Sequence, residues 1–251
     1  MKNNWEKIFY KKQFEWMDLQ FDETSAAYFK QEADLILEQI GQPFRTVLEL
    51  GSGRGDIANE IARQNKKVTT IELVEALCEY AEKHAHPNVQ IICDDFYTVD
   101  LEEKFDAILY LDGFGVGSDE DQLFLLQRIY DWLSDDGYAL IDIYQPLHWQ
   151  KADGQEMYPF GSKDIQRKYS YDFENDRMLD IWWETKNPKN TVTQFLACYS
   201  PNEIYSLCEK AGLQVIGYFP GGAMDYENMT YKESASLEDC LSFRIKIKKK
   251  N

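Results

Sequence analysis

The sequence predicts an α/β fold with a mostly parallel sheet of seven strands, an antiparallel last strand and a small antiparallel β insert. Short apolar stretches alternate with segments whose apolar residues recur at helical spacing, a pattern typical of βαβ units. Residues 241–248 alternate strictly between apolar and polar side chains, which indicates a strand buried on one face only. Across 146–199 the helical spacing disappears and strand-like segments follow one another.

The elements outside the insert can be placed from apolar spacing and cap residues. A helix is predicted over 24–40, ended by Gly41, and a strand over 46–50 leads into closely spaced glycines. Ser118, with an acidic residue three positions later, predicts a capped helix through 133 that Asp136-Gly137 terminates. The other strands of the sheet are predicted at 68–71, 89–93, 107–111, 138–144, 213–219 and 241–248.

The insert contains three segments with strand character, at 168–173, 178–185 and 191–199, separated by Asn-, Asp- and Pro-containing turns. We therefore expect a three-stranded antiparallel sheet there. The chain divides into an N-terminal helical segment at 1–41, a ligand-binding domain at 42–145 and 200–251, and a cap over the substrate site at 146–199.

The charge balance limits the partners of the protein. The 251 residues carry 44 Asp and Glu against 27 Lys and Arg, a net charge of −17, which disfavours nucleic acid as a main partner. No apolar stretch approaches the length of a membrane span or a signal peptide, so we expect no membrane association.

Five dispersed cysteines predict reduced thiols and a cytoplasmic location. The oligomeric state stays open, as the sequence is compatible with a monomer and with a homodimer.

The strongest motif is the stretch VLELGSGRG at 47–55, a strand that runs into Gly51, Gly53 and Gly55 before a helix. Glycines at these positions let the backbone approach a ligand without a Cβ clash, and the helix adds free N–H groups. The spacing is G-x-G-x-G and residue 56 is Asp, so the dinucleotide fingerprint G-x-G-x-x-G is not met.

Acidic residues follow the next two strands. Glu72 ends the second strand, about 20 residues past the first glycine, where a carboxylate can accept hydrogen bonds from ribose hydroxyls. Asp94 and Asp95 follow the third strand, where a carboxylate can accept from an adenine amine. Because parallel strands end at one edge of the sheet, these residues predict a recess for adenosine.

Residues 46–144 resemble the core of the class I S-adenosylmethionine (SAM)-dependent methyltransferases, whose domain is Rossmann-like. Residues 49–55 match the family's E/D-x-G-x-G-x-G motif, and 105–112 resemble its fourth-strand motif. The resemblance implies SAM as cofactor and S-adenosylhomocysteine as product. It also implies cofactor contacts from Glu49, Gly51, Ser52, Gly53, Gly55, Glu72, Leu73, Asp94, Asp95, Phe96 and Leu111.

Candidate catalytic and substrate residues come from the same sheet edge and from the aromatic segments. His148 follows the fifth strand and Asp112 follows the fourth, and either can act as a general base for a protonated acceptor. The insert and the N-terminal segment are rich in aromatic residues, which suit a planar, amphipathic or cationic small molecule. The candidate substrate contacts are Tyr10, Phe114, Tyr144, Trp149 and Trp183.

These features predict a SAM-dependent methyltransferase that acts on an O or N atom of a small molecule. A protein or peptide acceptor, a non-catalytic SAM-binding protein, and an NAD-dependent oxidoreductase on the same layered fold are the alternatives. His84 and His86 form an H-x-H pair without an evident third ligand, so no metal site is expected.

Overall fold

The computed structural model describes residues 5–17, 23–158 and 163–250. Within these ranges the helices are α1 (Trp5–Trp16), α2 (Glu23–Ile40), α3 (Asp56–Arg63), α4 (Glu75–His84), α5 (Asp119–Trp132), α6 (Pro146–Lys151) and α7 (Pro201–Lys210). The strands are β1 (Thr46–Leu50), β2 (Lys67–Glu72), β3 (Val89–Cys93), β4 (Phe105–Tyr110), β5 (Leu133–Tyr144), β6 (Glu156–Met157), β7 (Ile165–Asp172), β8 (Arg177–Glu184), β9 (Asn187–Ala197), β10 (Leu213–Pro220), β11 (Ala223–Asp225), β12 (Thr230–Lys232) and β13 (Ser242–Lys249).

The main sheet has seven strands in the order β10-β13-β5-β4-β1-β2-β3. The five strands from β1 to β5 pair in parallel, while β13 lies antiparallel between β5 and β10. This confirms the predicted α/β fold with a reversed last strand. The carboxyl ends of β1, β2 and β4 meet at one edge, where a ligand site is expected.

The boundary between α5 and β5 differs from the prediction. Ser118 and Asp121 form the expected capping box, but the helix ends at Trp132 and the strand begins at once at Leu133. Leu133 pairs with Phe105, and a register shift follows before the regular ladder. The Asp136-Gly137 pair therefore lies inside a strand rather than ending a helix. Turn residues within an irregular strand gave a misleading stop signal.

Both faces of the main sheet are buried, which fixes the strand ends that form the site. One face packs against α5 and α7 through fully buried residues that include Leu48, Ile108 and Ile141. The other packs against α2 and α3 through residues that include Val47 and Leu109. Because the core between these layers is close-packed, the sheet edge is a rigid platform.

The insert forms a four-stranded antiparallel sheet, β6-β7-β8-β9, preceded by α6. The expectation of three strands is wrong by one, because β6 has only two residues and no apolar alternation to reveal it. Two hairpin strands, β11 and β12, were also not predicted. Helix α1 packs on β9, and its Phe9 also lies edge-on to Trp182 of β8 at 6.0 Å between ring centroids.

The cysteines correct the prediction of five reduced thiols. Cys78 and Cys93 form a disulfide that joins α4 to the end of β3, whereas Cys198, Cys208 and Cys240 are free and buried. Two of the five thiols on which the predicted cytoplasmic location depended are therefore paired. Among the described helices, none combines the length and the apolar composition that a bilayer crossing requires.

Candidate active site

A cavity with a volume of about 580 Å³ opens at the carboxyl ends of β1, β2 and β4. The glycine loop after β1 forms one side, and α1 with the residue that follows it forms another through Tyr10, Phe14 and Met17. The insert contributes Arg167 from β7 and Trp182 from β8. Segments far apart in the sequence therefore enclose one space.

Most of the predicted cofactor residues lie on this wall, namely Glu49, Gly51, Ser52, Gly53, Glu72, Leu73, Phe96 and Leu111. Three of them do not line the cavity. Gly55 precedes α3 with a φ of 74°, Asp94 donates its backbone N–H to Glu72 O at 3.0 Å, and Asp95 accepts from the Tyr97 N–H at 2.8 Å. Gly55, Asp94 and Asp95 therefore shape turns next to the strand ends, and their role in cofactor binding stays a prediction.

The glycine loop leaves room for a ligand. Gly51 and Gly53 have φ values of 64° and 55°, a backbone region that glycine adopts without strain. A Cβ at Gly53 would meet no atom within 4 Å. The Gly51 N–H donates to Ile71 O at 2.8 Å, which ties the loop to β2.

Glu72 connects the second strand to this loop. Its Oε2 accepts from the Gly53 N–H and its Oε1 from the Val74 N–H, both at 2.8 Å. Burial raises the pKa of Glu72, and these backbone hydrogen bonds oppose that effect. Each carboxylate oxygen keeps a further lone pair for a hydroxyl donor.

Glu49 carries a buried carboxylate without a full set of partners. Its Oε2, like Ser52 Oγ, has no hydrogen-bond partner in the described structure. Burial, followed by the negative charges of Asp56 and Glu72, raises the pKa of Glu49 to about 8. A ligand cation next to Glu49 would favour its charged form. Glu49, Glu72 and the open Gly53 loop thus fit the ammonium and ribose groups of SAM.

At the other end of the cavity lies Asp112, one residue after Leu111. Its φ of 53° is uncommon for a residue other than glycine, although Asp and Asn tolerate it. The side chain is open to the cavity, and its Oδ1 accepts a hydrogen bond from the Tyr144 hydroxyl. Desolvation by the surrounding protein raises the pKa of Asp112 to about 6, so the carboxylate is ionised at neutral pH.

Tyr10 stands between the two ends of the cavity. Its hydroxyl oxygen accepts from Gln194 Nε2 at 2.9 Å. Burial raises the pKa of Tyr10, with smaller contributions from the charges of Asp112 and Glu72. The phenol therefore stays protonated and remains a hydrogen-bond donor.

The sequence reasoning missed an ion pair in the insert. Arg167 donates to both oxygens of Asp180, from Nε at 2.7 Å and from Nη2 at 2.6 Å, and Asp180 is fully buried. The guanidinium carbon lies 4.5 Å from the Tyr169 ring centroid and 5.2 Å from that of Trp182. The alternating apolar residues of β8 indicate a strand, but they do not indicate that Arg167 and Asp180 meet. That contact depends on the register of β8 with β7.

His148 lies outside the cavity, contrary to its predicted place beside an acceptor. It is 2% exposed, with Nδ1 at 3.2 Å from Asp239 O, and burial lowers its pKa. The reason is α6, which begins at Pro146 and turns this segment away from the sheet edge towards the C-terminal part of the chain. Asp112 is the predicted base that the structure places in the cavity.

Four of the five predicted substrate contacts also fall outside the cavity wall. Phe114 is buried in the core and Trp149 packs against Tyr144, which reaches the cavity only through its hydrogen bond to Asp112. Trp183 does not line the cavity, because the alternation of β8 turns Trp182 to the cavity instead. Tyr10 is the one that lies on the wall.

The sheet order, the glycine loop and the acid at the end of β2 define the class I SAM-dependent methyltransferase fold. Residues 47–137 match the family model described as a methyltransferase domain. Residues 47–137 are therefore similar to a methyltransferase domain.

Solved structures extend the likeness beyond the matched residues. The CcbJ methyltransferase from Streptomyces caelestis superposes with a TM-score of 0.71 at 17% identity, over 89% of this chain and 90% of that one. A SAM-dependent methyltransferase from Clostridium acetobutylicum ATCC 824 gives 0.71 at 15% identity, over 97% and 100%. CalS10, an amino pentose methyltransferase from Micromonospora echinaspora, gives 0.62 at 18% identity, over 91% and 98%. At such identities the likeness is one of fold.

A likeness in sequence is limited to a short segment. A probable ribosomal RNA small subunit methyltransferase A from Methanococcus aeolicus is 44% identical over 59 residues, which are 23% of this chain and 22% of that protein. The chain thus spans less than a quarter of the length of this relative.

Proposed function

We propose that this protein transfers the methyl group of SAM to an O or N atom of a small-molecule acceptor. The observation that carries the proposal is the shared cavity, which has nucleoside-binding features at one end and an open carboxylate among aromatic side chains at the other. Its volume of about 580 Å³ lies in the range of small-molecule sites.

When bound, SAM supplies a methyl group on a sulfonium that is already a good leaving group. Glu49 would hold the ammonium group of the cofactor and Glu72 its ribose, and the Gly53 backbone would let the cofactor approach the loop. Asp112 receives a proton from the acceptor where the acceptor is protonated. The walls from α1 and the insert exclude water and orient the acceptor, the main requirement for an in-line displacement.

The insert is the cap of this proposal, with the division at 146–199 that the sequence predicts. Helix α1 links the insert to the cofactor end, because Phe9 packs on Trp182 and Phe14 packs edge-on to Tyr80 of α4 at 5.7 Å between centroids. A wall of this kind favours a small acceptor over a polypeptide, which needs an open groove. The net charge of −17 disfavours an RNA acceptor, which is the acceptor named for the relative that matches over 59 residues.

The test is transfer of labelled methyl from SAM in the presence of cell extract separated into small-molecule, protein and RNA fractions. We expect S-adenosylhomocysteine and label in the small-molecule fraction only. Label in protein or RNA would contradict the acceptor class, and SAM binding without transfer to any fraction would favour the non-catalytic alternative. Glu72→Ala should abolish transfer, whereas Glu79→Ala, on the exposed side of α4, serves as its matched control.

A further inference from the structure

The acceptor end of the cavity carries the negative charge of Asp112, which the protein neutralises only in part. The Tyr144 hydroxyl satisfies one oxygen of Asp112 without removing its charge. A ligand placed here therefore meets carboxylate oxygens.

The cations on the cavity wall offset this charge only in part, since each also has an acidic partner. Arg167 is held by both oxygens of the buried Asp180, and Arg54 Nε lies 3.4 Å from Asp56 Oδ2. Glu49 and Glu72 lie at the cofactor end. Asp112 thus sets the charge of the acceptor end.

Aromatic side chains complete the surroundings of Asp112. Tyr10 of α1 and Trp182 of β8 line the same cavity. Aromatic rings attract cations over their faces, and they do so more strongly where water is excluded. A carboxylate beside such rings favours an organic cation over a neutral or anionic group of the same shape.

We propose that the acceptor is an amine, held as its ammonium form by Asp112 and the aromatic side chains of α1 and the insert. This inference rests on the proposed methyl transfer, and it specifies nitrogen, rather than oxygen or nitrogen, as the acceptor atom.

The reaction balances with Asp112 as the proton acceptor. The bound ammonium gives one proton to the Asp112 carboxylate, and the freed nitrogen lone pair forms the N–C bond. The C–S bond of the methyl donor breaks with its electron pair going to sulfur, and Asp112 then passes its proton to solvent.

The charge preference can be measured without knowing the natural acceptor. The protein is loaded with S-adenosylhomocysteine and titrated in turn with benzylamine, benzyl alcohol and benzoate at neutral pH, up to millimolar concentrations that suit small probes. We expect benzylamine to bind about tenfold or more tightly than either other probe. Asp112→Asn, which keeps the shape and tolerates the left-handed backbone, should remove this preference without changing S-adenosylhomocysteine affinity. Asp135→Asn, an equal charge change at a side chain that is 99% exposed, should preserve it.

Equal or tighter binding of the alcohol or benzoate, no binding of benzylamine, or a preference that survives in Asp112→Asn would overturn the inference. In the extract assay, labelled products should be retained by a cation exchanger at neutral pH, and purely neutral or anionic products would likewise overturn it. Failure to bind S-adenosylhomocysteine, in contrast, would contradict the proposed function itself.

Discussion

Glu72 Oε2 lies 2.8 Å from the backbone nitrogen of Gly53, so the acid at the end of β2 holds the middle of the glycine loop. The second oxygen holds the start of α4 through the Val74 N–H at 2.8 Å. One carboxylate therefore both shapes the loop and faces the cavity. Its removal affects the loop and the ligand together.

Glu72→Ala should weaken S-adenosylhomocysteine binding by about 100-fold, because hydrogen bonds to a charged group contribute about 1.5–3 kcal/mol each. Isothermal titration calorimetry measures this, with Glu79→Ala as control. An affinity that stays within about threefold of the wild type would remove Glu72 from the cofactor site.

Glu49 should release a proton when SAM binds near neutral pH. Its pKa of about 8 means that much of the carboxyl is protonated in the free protein, and a neighbouring ligand cation favours the ionised form. SAM affinity should therefore rise as pH increases towards 8 and level off above it. Calorimetry in buffers of different ionisation enthalpy reports the proton count. Glu49→Gln should abolish the release, and an unchanged count would place the ligand cation elsewhere.

Gly115→Ala should destabilise the fold by about 3 kcal/mol, since a clash adds to the cost of an unfavourable backbone angle. Gly115 has a φ of 115°, and a Cβ there would lie 2.5 Å from the backbone oxygen of Ala197 in β9. Gly154→Ala is the matched control, because Gly154 has a φ of 83° and open space around its Cβ position. It should cost about 1–2 kcal/mol. Urea denaturation measures the free energy of unfolding of both variants. Equal losses of stability would show that the close contact between Gly115 and β9 contributes nothing.

Asp180→Ala should destabilise the protein by about 3 kcal/mol, because it leaves the guanidinium of Arg167 without its buried partner. Because the Arg167 side chain is still 20% exposed, we expect the loss of stability to lie at the lower end of the range for broken buried ion pairs. Asp164→Ala breaks an exposed pair with Lys186 in the same insert and should cost less than about 1 kcal/mol. Thermal unfolding measures the stability of both variants, and similar melting temperatures for the two would contradict this prediction.

The parts of the molecule that sequence predicts well are those whose signal is local. The strand before Gly51, the acid at Glu72 and the capping box at Ser118 each depend on residues a few positions apart. Such spacing fixed the sheet, its reversed last strand and the position of the nucleoside end of the cavity.

The acceptor end was harder to predict because it depends on contacts between distant segments. Arg167 reaches the cavity only through the register of β7 with β8, and the choice between Trp182 and Trp183 depends on which face β8 presents. His148 follows a sheet strand, as an active-site residue often does, but a six-residue helix redirects it. Apolar spacing alone does not determine these relationships.

The most direct test of the central claim is calorimetric titration of the wild-type protein with S-adenosylhomocysteine, with NADH as the competing ligand class. We predict one site of micromolar affinity for S-adenosylhomocysteine, weakened about 100-fold in Glu72→Ala, and no binding of NADH. Absence of binding at millimolar S-adenosylhomocysteine, or binding of NADH at the same cavity, would contradict the account.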